Sequence, residues 1–196
     1  MRFHVLFLCT GNICRSPMAE RLFRARTDPT LPVRSASAGT QGLSGWPMDT
    51  PSALVLRELG GDGNGHEGQR LSRELIAGAD LILSAEIAHR AAITRIDPQA
   101  ASRAFTLREF GRVGAGLGPP APATTAADLR TRVAAVTARR EALPAAGPAL
   151  DDIADPYGAP MEFVRSCGIQ TAGAVDAVID ALGLRRVGDA APDARA

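Results

Sequence analysis

The sequence predicts an α/β fold of three layers, αβα, built on a four-stranded parallel sheet of order 2-1-3-4. Two observations predict it. Short runs of branched apolar residues alternate with stretches that place apolar residues at helical spacing. The chain has 196 residues, 45% of them apolar and only 4% aromatic, so one core of Ala, Val, Leu and Ile is within reach without a staple. Phe3 to Leu8 is the first strand: short, branched and without a polar alternation, as a strand covered on both faces is. A helix follows, with Ser16 suited to the N-cap, Pro17 to the first position, and Met18, Leu22 and Phe23 on one face. Val33 to Ala38 reads as the second strand. Thr50 as cap and Pro51 behind it open the next helix, Leu54 to Leu59 fill it, and Gly60 stops it before a glycine-rich loop to Gly68. Leu81 to Ser84 is the third strand, Glu86 to Arg95 a helix ended by Pro98, and Ala104 to Leu107 the fourth strand. Right-handed crossovers place the loops that follow the strands on one edge of the sheet, where ligands bind in such folds.

Residues 1–184 are expected to form a single domain. Gly111 to Pro148 differs in composition, being rich in Ala, Pro and Gly, and reads as an inserted helical segment over about 111–150. Thr125 and Asp128 make a capping pair there, and Leu129, Val133 and Val136 share a helix face. Its plain reading is a surface helix packed over a loop; a lid or a partner-binding element is the other. The last helix runs from Pro160 to Leu182, with Val164, Val175, Val178, Ile179 and Leu182 inward. Residues 185–196 are expected to be a disordered tail.

Composition excludes several classes. The net charge is +1, all 22 basic residues are arginine, and they form no basic run, so nothing marks a nucleic-acid surface. The apolar stretch Val5 to Leu8 is too short for a signal peptide or a membrane span. Three cysteines are an odd, sparse count that argues for a reducing compartment, and hence the cytoplasm.

The loop leaving the first strand is Cys9-Thr10-Gly11-Asn12-Ile13-Cys14-Arg15-Ser16. A helix N-terminus presents free N–H groups and a partial positive charge, which together hold an anion. Gly11 and Asn12 tolerate left-handed backbone, so the loop can turn the N–H groups of Thr10 to Ser16 inward as a nest. Arg15 adds a planar fork that matches two phosphoryl oxygens. Such a field favours thiolate over thiol, which places Cys9 below a phosphate cradle for in-line attack on phosphorus. Ser16 can donate its hydroxyl to that sulfur. A metal site lacks ligands: Cys9 and Cys14 have only Cys167 far along the chain, and His4, His66 and His89 form no pair. No metal and no cofactor is expected.

The stretch Val5 to Glu20 resembles the signature of the low-molecular-weight protein tyrosine phosphatases, and Ser37-Ala-Gly-Thr40, Ala79 to Leu83 and Asp155-Pro-Tyr-Gly158 follow in that family's order. The likeness covers residues 1–110 and 151–184. It implies a nucleophile at Cys9, phosphate binding by Arg15 and the loop amides, and a general acid at Asp155. It also implies that Asn12, Ser37, His66 and Glu20 hold the loop's shape from behind. The expected activity is hydrolysis of phosphotyrosine, in a protein or as a small phosphomonoester, through a phosphocysteine. Arsenate reduction on the same fold and a binding module that never turns over are the alternatives; the first lacks resolving cysteines, and the second would not need both Cys9 and Asp155.

Other residues carry finer expectations. Pro156 restricts the backbone beside Asp155 and can direct its carboxyl. Asp151 and Asp152 read as solvated loop charges, and Tyr157 as a wall of the substrate slot. Leu43 stands where many relatives have an aromatic specificity residue; Trp46 either compensates for it or packs under the loop. Gln69 replaces an arginine that often follows the histidine at position 66. Cys14 is either a small core residue or the partner in a reversible disulfide with Cys9. His89 reads as a helix-surface residue without a role.

Overall fold

The computed structural model describes residues 2–189. Its four parallel strands are β1 (Phe3–Cys9), β2 (Val33–Gly39), β3 (Leu81–Ser84) and β4 (Ala104–Thr106), in the order β2-β1-β3-β4. β1 is central and buried on both faces: Phe3, Val5 and Phe7 enter one apolar cluster, Leu6 and Leu8 the other. That two-sided burial is why its sequence shows no alternation.

The helices are α1 (Arg15–Arg26), α2 (Thr50–Glu58), α3 (Arg73–Gly78), α4 (Ile87–Ile96), α5 (Leu107–Ala115), α6 (Ala126–Glu141), α7 (Pro148–Asp151) and α8 (Met161–Leu182). A 3-10 turn, Pro98–Arg103, leads into β4. Residues of α1, α2, α5, α6 and α8 share the larger cluster; α3, α4 and the 3-10 turn cover the other face. The three predicted layers are therefore present. No helix among the described residues is long and apolar enough to cross a membrane.

Several boundaries differ from the sequence expectation for local reasons. Ser16 lies inside α1 rather than capping it, because its hydroxyl is drawn into the preceding loop. Asp49, not Thr50, caps α2, accepting from Ser52 N at 3.2 Å and Ser52 Oγ at 2.8 Å. β4 stops at Thr106, whose hydroxyl accepts from Glu109 N at 3.1 Å while Glu109 Oε2 accepts from Thr106 N at 3.2 Å. This reciprocal cap starts α5, a helix absent from the sequence reading, and α5 runs through position 111, where the insertion was expected to begin. α6 starts as expected on Thr125 and Asp128, but its Leu129, Val133 and Val136 join the main core instead of covering a loop.

Residues 185–189 of the expected tail are tied to the body. Arg186 bridges Thr27, Val187 N donates to Arg26 O at 3.0 Å, and Arg186 reaches Asp176 and Asp180. Residues 190–196 of that expectation lie outside the described residues.

Candidate active site

The loop between β1 and α1 is shaped by one residue. Asn12, with φ 59°, is the only non-glycine residue of positive φ among the described residues. Asparagine tolerates that region better than most residues, and four hydrogen bonds hold it there. Its Nδ2 donates to Ser16 Oγ at 2.9 Å, and its Oδ1 accepts from Gln69 N at 2.9 Å. Its carbonyl meets His66 Nε2 at 2.7 Å. Its own N–H turns to Cys9 Sγ, 3.3 Å away.

Cys9 is buried at the floor of the loop, and Ser16 Oγ stands 3.0 Å from its sulfur. Ser16 Oγ already accepts from Asn12, so its single proton is left for the sulfur or for the Ala38 carbonyl at 3.3 Å. Behind the loop, Gln69 Nε2 donates to Ser37 O at 2.8 Å and Ser37 Oγ donates to Glu20 Oε2 at 2.7 Å. Asn12 and His66 thus touch the loop directly, whereas Ser37 and Glu20 reach it only through Gln69. Gln69 stitches the loop to β2 by its main chain and its amide together.

Arg15 is buried and nearly saturated. Nη1 donates to Ile153 O at 2.9 Å and pairs with Glu86; Nη2 donates to Asp155 Oδ2 at 2.6 Å. Nε is buried without a hydrogen-bond partner. A guanidinium donor in that condition is costly unless an anion completes it. Asp155 itself is half exposed, and its Oδ1 accepts from Tyr157 N at 3.1 Å.

Two of the residues here, Glu86 and His89, escaped the sequence reading. His89 is not a surface residue: it is buried, its Nδ1 accepts from Glu86 N at 3.1 Å, and its Nε2 meets Thr10 Oγ1 at 3.0 Å. A backbone N–H can only donate, so the ring proton sits on Nε2 and donates to Thr10. Burial, with help from the Arg15 charge, pushes the His89 pKa below its ordinary value against the opposing Glu86, Asp152 and Asp155 carboxylates, keeping the ring neutral. Glu86 follows β3 at the same sheet edge as Cys9, and that position was the available signal.

Asp151 and Asp152 are not solvated loop charges. Asp151 is buried against Arg112, and Asp152 Oδ1 accepts from Ile87 N at 2.7 Å. Cys14 is a free thiol that burial pushes up to about 12, with Asp49 raising it further and a Ser52 hydrogen bond opposing. Burial raises Cys167 as well.

Above the sulfur lies a cleft of about 200 Å³ lined by Cys9, Thr10, Gly11, Ile13, Cys14, Arg15, Gln41, Leu43, Asp155 and Tyr157. Leu43 and Tyr157 are both among the residues that line it. Trp46 does neither of the things expected of it: it is 55% exposed and lines no part of the cleft. A larger groove of about 650 Å³ between α1 and the start of β2 contains no residue of the loop and no cysteine. The smaller cleft, with sulfur below, a donor-rich rim and a carboxylate opposite, suits a tetrahedral oxyanion carrying a group that needs a proton.

A family model described as low molecular weight phosphotyrosine protein phosphatase matches residues 4–129. The low molecular weight protein-tyrosine-phosphatase Etp of Escherichia coli (strain K12) is 45% identical over 96 residues, 48% of this chain and 62% of its own length. The chain therefore matches less than two thirds of that relative. A protein-arginine-phosphatase of Geobacillus stearothermophilus is 28% identical over 182 residues, 93% of this chain and 97% of that protein. Among solved structures, the low molecular weight protein tyrosine phosphatase from T. tengcongensis superposes with a TM-score of 0.65 at 29% identity, covering 90% of this chain and 97% of that one.

Proposed function

The chain belongs to the low molecular weight phosphotyrosine protein phosphatase family, and from that premise we propose that it is a cysteine-dependent phosphomonoesterase acting on phosphotyrosine. Cys9 attacks phosphorus as a thiolate. The S–P bond forms as the bond to the leaving phenol oxygen breaks, and Asp155 gives that oxygen its proton. Asp155, now a carboxylate, takes a proton from water as the water attacks the phosphocysteine, and phosphate leaves with the thiolate restored. The loop amides and Arg15 stabilise the equatorial oxygens while charge spreads over them.

The observation that carries this reading is the buried Arg15 Nε without a partner, in the same loop as a sulfur that receives Asn12 N–H at 3.3 Å. A phosphoryl group offers two oxygens to the Nε and Nη2 edge, and Asp155 must give up Nη2, taking a proton from solvent as it does, to admit it. That exchange turns the carboxyl from the arginine toward the leaving oxygen. An aryl group is favoured because Ile13, Leu43 and Tyr157 line the cleft. The relatives named above are two tyrosine phosphatases and an arginine phosphatase, so phosphoarginine belongs in the same assay. Three unpaired cysteines suit cytoplasmic residence.

The test is hydrolysis of p-nitrophenyl phosphate in the presence of EDTA, expected in the parent and lost in Cys9→Ser. Turnover that survives this substitution refutes the mechanism. A panel of phosphotyrosine, phosphoarginine and an alkyl phosphate then sets the preference; equal cleavage of aryl and alkyl esters overturns the tyrosine assignment and leaves the phosphomonoesterase intact.

A further inference from the structure

At the point where the chain enters the Asp155 loop stands an ion pair between a buried carboxylate and a partly exposed guanidinium. Asp151, which ends α7, is 3% exposed. Arg112 of α5 grips it side-on: Nε donates to Oδ1 at 3.2 Å, and Nη2 donates to Oδ1 and Oδ2 at 3.0 Å each. The next two residues are fixed as well. Asp152 Oδ1 accepts from Ile87 N at 2.7 Å, its carbonyl accepts from Arg108 Nη1 at 3.0 Å, and Ile153 N donates to Ala85 O at 2.8 Å. Before α7, residues 142–147 are irregular and mostly exposed. Asp151 is therefore the first firm hold on the chain before Asp155.

With one partner open to solvent the pair adds little net stability, but its two-point grip on a buried carboxylate fixes geometry. We propose that Arg112 and Asp151 are positioning residues for proton transfer, anchoring the start of the loop so that the Asp155 carboxyl stands at the leaving-group side of the cleft. The proposal rests on Asp155 being the acid in the mechanism above. An acid displaced by an ångström still leaves Cys9 and Arg15 in place, so the loss depends on how much the leaving group needs its proton.

The experiment compares kcat/KM for phenyl phosphate, a poor leaving group, with p-nitrophenyl phosphate, a good one. Asp151→Asn and Arg112→Lys are measured, each also in an Asp155→Asn background. Phenyl phosphate should lose roughly tenfold, part of the ~10²–10⁴-fold that a positioned acid contributes, and p-nitrophenyl phosphate at most about twofold. In the Asp155→Asn background neither substitution should cost anything further, since both act through the same carboxyl. Equal losses on the two esters, additive losses in that background, or no loss at all each overturn the proposal. Should Asp151→Asn not fold, Arg112→Lys, which keeps the charge and removes the two-point grip, decides alone. A parent protein inert toward both esters sinks the phosphatase reading and the positioning role with it.

Discussion

Cys9 and Cys14 share one loop and are both buried, yet their surroundings differ in kind. The Asn12 N–H donates to the Cys9 sulfur, and Ser16 Oγ stands 3.0 Å from it. Cys14 sits where burial and the Asp49 charge push its thiol up to about 12. At pH 8 its thiolate is then on the order of one part in ten thousand, and only the thiolate attacks an alkylating agent. Iodoacetamide at that pH should therefore label Cys9, be slowed by inorganic phosphate, and leave Cys14 and Cys167 untouched, as peptide mass spectrometry will read. Labelling of Cys14 at the rate of Cys9 would contradict this account. The same scale shows what sequence can and cannot disclose. Cys9, Asn12, Arg15 and Ser16 were legible because their chemistry lies within one short loop between a strand and a helix. Glu86 and His89 were not, because they arrive from the end of another strand. A lone histidine in a helical pattern looks the same whether it faces water or a threonine of the phosphate loop.

Among the elements, α5 was the longest to go unread, and the reason is its two glycines. Gly111 and Gly114 lie in an Ala- and Gly-rich stretch that resembles a loop, although Thr106 and Glu109 spelled out the reciprocal cap in front of it. α3 and α7 are too short for any periodicity to emerge. In the folded chain these glycines let α5 press against α8. A Cβ at Gly114 would stand 2.5 Å from the Ala181 Cβ, and one at Gly111 2.6 Å from the Ala177 Cβ. Neither neighbour has a flexible end that can move aside. Helix propensity alone favours alanine over glycine by about 1 kcal/mol, whereas overpacking costs ~1–3 kcal/mol, so packing is expected to win. Gly114→Ala should lower the thermal midpoint by roughly 2–6 °C for a chain of this size. Gly173→Ala, on an exposed position of α8 with open space around it, should leave the midpoint unchanged or raise it. Circular dichroism melts of the two variants give the sign, and a stabilised Gly114→Ala protein would mean that the helices are not in contact there.

At the scale of the whole molecule, the site is assembled at one edge because parallel strands deliver their following loops to the same side. β1 brings Cys9 to Arg15, β3 brings Glu86, and the connection into α8 brings Asp155, which is why residues so far apart in sequence converge on one guanidinium. The segment that separates β4 from Asp155 takes part in the same body. α6 sends Leu129, Val133 and Val136 into the cluster that holds β1 and α8. Arg140 lies over the Phe105 ring at 4.0 Å and donates to Ala104 O at 2.7 Å, while Arg132 donates to Ala181 O at 2.7 Å. A lid would have to break all of these contacts to open. Hydrogen exchange separates the two cases, because amides in a unit that opens locally exchange before those that need global unfolding. The central amides of α6 are expected to exchange as slowly as those of α8. Leu129→Ala should cost ~2–5 kcal/mol, as deletion of a buried leucine side chain does, and should lower a single cooperative transition. Rapid exchange confined to α6, with α8 still protected, would instead make the segment an independent flap.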